Sequence, residues 1–190
     1  MILDFASLNA NQLYKVMSYS IFPRPIAWIV TEDEGVVNVA PFSYFIPLTS
    51  QPPVLVVSIG KKEDGSPKDT LANLLKHKKA TICLPHDTCI EDITNSSQGL
   101  PHEVSEATEF NIELVESKEG FPPMVKGIKC AYFVTFRETH PIEGSSTTPV
   151  LLDVDSAYFE DGKIDEKLNI SLENIGRVGH YFIKDYTLTK

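Results

Sequence analysis

Two short stretches hold residues whose types and spacing can do chemistry. The first is GKKEDGSPKDT, Gly60 to Thr70. Lys61, Lys62 and Lys68 gather positive charge in a chain whose formal net charge is −9. Ser66 and Thr70 add hydroxyl donors. Ser66 has the character of a helix N-cap, Pro67 suits the first helical position, and Asp69 stands three residues after the cap. A helix N-terminus presents unpaired N–H groups and the positive end of the helix dipole, so lysines and hydroxyls around it make a phosphate site. The same residues also fit a capped surface helix with solvated lysines. The second stretch is VVNVAPFSYF, Val36 to Phe45. It reads as a strand until Pro41, which has no N–H for a ladder and belongs at edges, bulges or strand ends. Asn38, Ser43 and Tyr44 are polar groups set among apolar neighbours.

Other chemistries find weaker footing. No G-x-x-x-x-G-K-[ST] loop is present, and no G-x-G-x-x-G, which argues against Walker-type and Rossmann nucleotide sites. CLPHDTC places Cys83, His86 and Cys89 close together, but a structural zinc needs four ligands and Cys130 is distant in sequence. Cys83 reads better as a buried strand residue and Cys89 as incidental. No G-x-S-x-G elbow exists, and the five histidines stand in no triad order.

The elements that must position these residues follow from periodicity. NANQLYKVMSYS spaces Leu13, Val16 and Met17 on one helical face, with Asn9 as cap. IAWIVTED and PPVLVVSI are apolar runs of strand length, the second fully buried. A helix is expected over 67–78, burying Leu71, Leu74 and Leu75. ATICLP is a further strand, and DTCIEDITNSS a short helix capped by Asp87 or Thr88. IELVES, GIKCAYFVTFRETHPI and TTPVLLDVDSAYFED make the second half β-rich. Strands outnumber helices and no regular β–α alternation appears. A mainly β fold, a β-barrel with inserted helices forming one domain over 1–190, is the expectation.

Composition bounds the function classes. The 190 residues are 42% hydrophobic and 23% charged, as in an ordinary globular protein. No basic stripe suggests nucleic acid, and no apolar run reaches the roughly 20 residues of a membrane span. An odd count of three cysteines and no visible signal peptide point to a reduced, cytoplasmic setting.

From Pro23 to Thr70 the chain resembles the flavin reductase-like family of FMN-binding split barrels, which includes flavoredoxin. The pattern is carried by PRPIAW (Pro23 to Trp28), Thr31, Gly35, N-x-A-P-F-S-x-F (Asn38 to Phe45), Pro52–Pro53 and KDT (Lys68 to Thr70). Val30 departs from it where Ser is usual, removing a hydroxyl from a strand expected to line the site. Beyond residue 80 the likeness is thinner, in TNSS and IGRVGHYF.

The resemblance implies a Greek-key split barrel, a homodimer, and FMN held at the subunit interface. It implies that Lys68, Asp69 and Thr70 hold the phosphate, with Ser58 and Ile59 near the ribityl chain. Thr31, Asn38, Ala40, Pro41, Phe42 and Ser43 would line the flavin ring edge, which presents O2, N3–H, O4 and N5. Ser43 near N5 is the nearest approach to a catalytic role, and no acid–base residue is assigned. Arg177 and Tyr181 would approach the cofactor, Asn95 to Ser97 would cap it from the neighbouring subunit, and Arg24 would reach a phosphate, a dimer contact or a salt bridge. Trp28 reads as core. The implied activity is an FMN-dependent oxidoreductase taking electrons from NADH or NADPH. The alternatives are a flavoredoxin-like electron carrier without a nicotinamide site and a non-catalytic binding module.

Overall fold

In the computed structural model the structure describes residues 1–116, 118–185 and 189. Twelve strands appear among them: β1 Arg24–Pro25, β2 Ala27–Asp33, β3 Val36–Phe42, β4 Phe45–Ser50, β5 Pro53–Gly60, β6 Lys79–Cys83, β7 Leu114–Val115, β8 Met124–Val125, β9 Cys130–Thr139, β10 Thr147–Phe159, β11 Gly176–Val178 and β12 Tyr181–Ile183. The helices are α1 Ala10–Ser20, α2 Asp69–His77, α3 Ile90–Asn95 and α4 Glu106–Glu109.

Seven strands form one antiparallel sheet in the order β3-β2-β6-β9-β10-β5-β4. β3 and β4 lie at its opposite edges, yet only Ser43 and Tyr44 separate them in sequence. Two residues cannot span an open seven-stranded sheet, so the sheet must curl on itself into a barrel. The Ser58 N–H donates to the Tyr44 carbonyl at 2.9 Å and stitches that corner. β1, β11 and β12 form a separate three-stranded sheet, and β7 pairs with β8.

The apolar runs explain the core. β2 is buried on both faces, and its side chains alternate between two clusters. Trp28 and Val30 pack with Val39, Ile93 and Ile175. Ala27 and Ile29 pack with Val57, Ile59, Leu74 and Ile82. The Trp28 indole N–H donates to Ser96 Oγ at 3.0 Å, which satisfies its polar edge in the interior. Cys83 and Cys130 are fully buried strand residues, and no metal-binding cluster occurs among the described residues.

Three local expectations need correction. β3 runs unbroken through Pro41, which pairs with Trp28 in register. Because β3 is an edge strand, the missing N–H costs no ladder bond. The second helix begins at Asp69 with Lys68 as cap and no side-chain cap bond. Ser66 is instead engaged by Asp64 Oδ1, to which its N–H and its hydroxyl both donate. Leu75 is 43% exposed, so of the three leucines only Leu71 and Leu74 seat the helix. The helix from Asn9 is as expected, closed by a capping box with Gln12.

Candidate functional site

A groove runs along the free edge of β3. It consists of a cavity of about 520 Å³ and a smaller one of about 200 Å³ that share Pro41, Phe42 and Ser97. The combined volume is in the range of ligand sites.

At one end stand Lys61, Lys62, Lys68, Asp69 and Thr70. Lys62 is paired with Asp69 at 2.7 Å, and His102 Nδ1 meets the same Asp69 oxygen at 2.8 Å. Burial pushes the Asp69 carboxyl up, but these two partners outweigh it and hold it below the ordinary value. Lys61 and Lys68 make no ion pair among the described residues. The N-terminus of α2 has no side-chain cap. Lys61 and Lys68 thus stand without a carboxylate partner beside a helix end that carries Asp69 in its first turn, and Glu63 and Glu106 border the same cavity.

A buried amide–hydroxyl network links this end to β3. Asn38 Nδ2 donates to Thr70 Oγ1 at 2.9 Å and to Thr31 Oγ1 at 3.3 Å, and Asn73 Nδ2 donates to Thr31 Oγ1 at 3.1 Å. Both Asn38 amide hydrogens are thereby used, which leaves its Oδ1 to accept from a ligand. Thr70 accepts from Asn38, which leaves its own hydroxyl hydrogen to donate. Thr31 is fully buried behind Asn38 and fixes the amide.

The middle of the groove is formed by β3 and by a short helix docked on it. Ser105 Oγ donates to the Val37 carbonyl at 2.6 Å, and the Val39 N–H donates to Glu106 Oε2 at 3.0 Å. Glu106 is 6% exposed and borders the larger cavity. Burial pushes its carboxyl up, and the Val39 bond pulls part of the way back. By the alternation of an antiparallel edge, the Val39 and Pro41 carbonyls face the same way as the Val39 N–H. Ala40, Pro41, Phe42 and Ser43 border the groove.

At the other end lie Tyr14, Ile26, Ile93, Thr94 and Arg177. Arg177 lies over the Phe182 ring at 4.3 Å.

The structure thus brings together Asn38, Ala40, Pro41, Phe42, Ser43, Lys68, Asp69, Thr70 and Arg177, with Thr31 behind them. It does not bring Ile59 to the groove, since that side chain is fully buried in the core. Ser58 lies at the barrel corner and does not border either cavity. Tyr181 is 67% exposed against Tyr19. Ser97 reaches the groove from its own chain. Arg24 makes no salt bridge among the described residues; its Nη1 donates to the Ser18 and Ile21 carbonyls. Val30 packs in the core, so the absent hydroxyl is not lost from the groove wall. Glu106 and His102 carried no signal in the sequence.

The family model for the flavin reductase like domain matches residues 17–177. An uncharacterised protein of Aquifex aeolicus (strain VF5) is 30% identical over 189 residues, covering 94% of this chain and 92% of its own. Nitrilotriacetate monooxygenase component B from Bacillus cereus superposes with a TM-score of 0.92 at 24% identity, covering 100% of this chain and 98% of its own. The Pseudomonas fluorescens 2-nitrobenzoate 2-nitroreductase NbaA superposes with a TM-score of 0.87 at 23% identity, covering 100% and 95%. The chain belongs to the flavin reductase-like family and has its mainly β split-barrel fold.

Proposed function

We propose that this family member, acting as one domain over 1–190, is an FMN-dependent oxidoreductase that takes electrons from NADH or NADPH. The observation that carries the reading is the groove with Lys61 and Lys68, which make no ion pair among the described residues, beside a helix end at one pole and an open strand edge next to it. Phosphate would sit between Lys61, Lys68 and the Thr70 hydroxyl. Asp69, tied to Lys62 and His102, keeps the adjacent loops in place without repelling the anion at full strength. Asn38 offers an acceptor to a ribityl hydroxyl or ring N–H. The Pro41 carbonyl suits N3–H, and Ser43 supplies a hydroxyl to the ring edge, where Pro41 has no N–H to give.

Bound FMN would supply the redox chemistry. The chain's own task is to orient the ring, exclude water along Phe42 and hold the phosphate. A homodimer is part of this reading. Large apolar side chains stand exposed on α1 and after it (Tyr14, Met17, Ile21, Phe22) and on β4 (Ile46, Leu48), and the Tyr14 and Tyr44 rings, 6.4 Å apart, join the two faces. Such a patch favours burial against a second copy.

The test is anaerobic. The purified protein should be yellow or take up added FMN stoichiometrically, and NADH or NADPH should bleach the flavin within a catalytic time. A protein that takes up no FMN overturns the reading. FMN uptake without bleaching by either nicotinamide moves it to an electron carrier. Light scattering at micromolar concentration should give twice the chain mass.

A further inference from the structure

The groove has two cationic poles, while FMN carries one phosphate. Lys61 and Lys68 form one pole. Arg24 and Arg177 form the other: they are direct cross-strand partners between β1 and β11, so their side chains leave the sheet on the same face. Neither meets a carboxylate among the described residues, whereas Arg137, the third arginine, is paired with Asp153 at 2.7 Å. Arg24 is 6% exposed, with Nε and Nη2 buried and unpartnered. Arg177 Nε donates to the Gly179 carbonyl at 3.3 Å, its one hydrogen bond among the described residues. Burial lowers its proton affinity, and the Arg24 charge adds to that against the opposing influence of Tyr14. Two adjacent guanidinium groups that meet only carbonyls and aromatic rings among the described residues, in a chain of net charge −9, make a field that an anion would relieve.

Of the pair, Arg177 borders the smaller cavity. Its volume is about 200 Å³. Ile26, Phe42 and Ile93 give it apolar walls, Tyr14 a ring, and Thr94 a hydroxyl. Because the cavity shares Pro41 and Phe42 with the larger one, an occupant would lie beside the ring end of a bound flavin. We propose that this cavity is a second-ligand subsite for a small planar aromatic carboxylate, the carboxylate held by the Arg177 fork and the ring between the apolar walls. The position beside the flavin rests on the FMN reading; the anion subsite itself does not. Guanidinium is the side chain suited to a carboxylate, which it can grip with two parallel bonds. Arg24 is a positioning residue that acts through its charge.

The test uses benzoate as probe and benzamide as its uncharged counterpart. Titrated into the FMN-loaded protein, benzoate should shift the flavin absorbance saturably, and benzamide should bind at least about 10-fold more weakly, as expected for loss of a charged hydrogen bond. Arg177→Gln should weaken benzoate about 10-fold to 100-fold, and Arg177→Lys should fall between. Equal binding of benzoate and benzamide overturns the proposal. So does unchanged benzoate affinity in Arg177→Gln, or a loss of FMN affinity in that variant, which would assign Arg177 to the cofactor. If the protein takes up no FMN, saturation-transfer NMR on the flavin-free chain still decides. Arg177-dependent benzoate binding sustains the subsite while the FMN reading falls, and no binding overturns it.

Discussion

Removing the two free lysines should abolish the preference for FMN over riboflavin. Lys61 is exposed and Lys68 half-buried, and neither has an internal partner among the described residues. A hydrogen bond to a charged group contributes about 1.5–3 kcal/mol, and an exposed ion pair at most about 1 kcal/mol. Lys68→Ala should therefore weaken FMN about 10-fold, Lys61→Ala only a few-fold, and the double variant roughly 30-fold to 100-fold, at about 1.4 kcal/mol per tenfold. Riboflavin lacks the phosphate, so its affinity should hardly change in any of them. The assay is quenching of flavin fluorescence by wild type and variants, for both ligands, at two salt concentrations. The FMN-to-riboflavin ratio should approach one in the double variant, and its salt dependence should shrink, because partly exposed charges are screened over about 10 Å at 0.1 M. Lys62 is the internal control. Its charge is already spent on Asp69 at 2.7 Å, so Lys62→Ala should act chiefly by loosening the Asp69–His102 contact. A ratio that survives in the double variant would refute the reasoning and put the phosphate elsewhere.

Other residues make separate predictions. Thr31→Val leaves the Asn73 amide without its acceptor and frees Asn38, costing about 1–3 kcal/mol, so calorimetry should show a midpoint several degrees lower; a change below about 1 °C contradicts the network. Glu106 has a folded-state pKa above its unfolded one, so the chain binds more protons there when folded, and stability falls as pH rises from the ordinary carboxylate value through the raised one. Glu106→Gln should lack that slope in melting curves from pH 4 upward, and an identical slope in both proteins would place the group in water. Burial pushes the Cys83 thiol up to about 12 and the Cys130 thiol up to about 11, and raises Cys89 as well. A thiol-specific chromogenic reagent at pH 8 should therefore label none of the three in the native protein and all of them in denaturant, since the thiolate is the reactive form.

What could be read from the sequence was set by how local its cause is. β2 and β5 were legible because apolar runs of strand length leave few alternatives. The existence of α2 was legible from Leu71 and Leu74, but its start was not. Asp64 captures Ser66 two residues on, and this local turn displaces the cap that Ser66 would have made. The groove residues Asn38 to Ser43 and Lys68 to Thr70 were legible only as motifs. Their joining by the Asn38–Thr70 bond crosses 32 positions and depends on the closed barrel. Glu106 was invisible for the same reason. It is one of several carboxylates near Ser105, and only docking of α4 on β3 decides which one is buried.

That docking also accounts for the place of the groove. An unpaired edge strand invites pairing with another chain, and proteins protect it with charges, proline or cover. On β3 the protection changes along the strand. Val37 and Val39 are covered by Ser105 and Glu106 of the α4 segment. Pro41, the next outward position, has no N–H and cannot nucleate a ladder. Ser43 and Tyr44 then turn the chain to the opposite edge of the sheet. The stretch between Val39 and Ser43 can therefore stay open without recruiting a strand. Replacing Pro41 by an ordinary residue would restore an outward N–H. The sheet ends at β3, and Pro41 keeps a further strand from adding to the part of that edge α4 leaves uncovered.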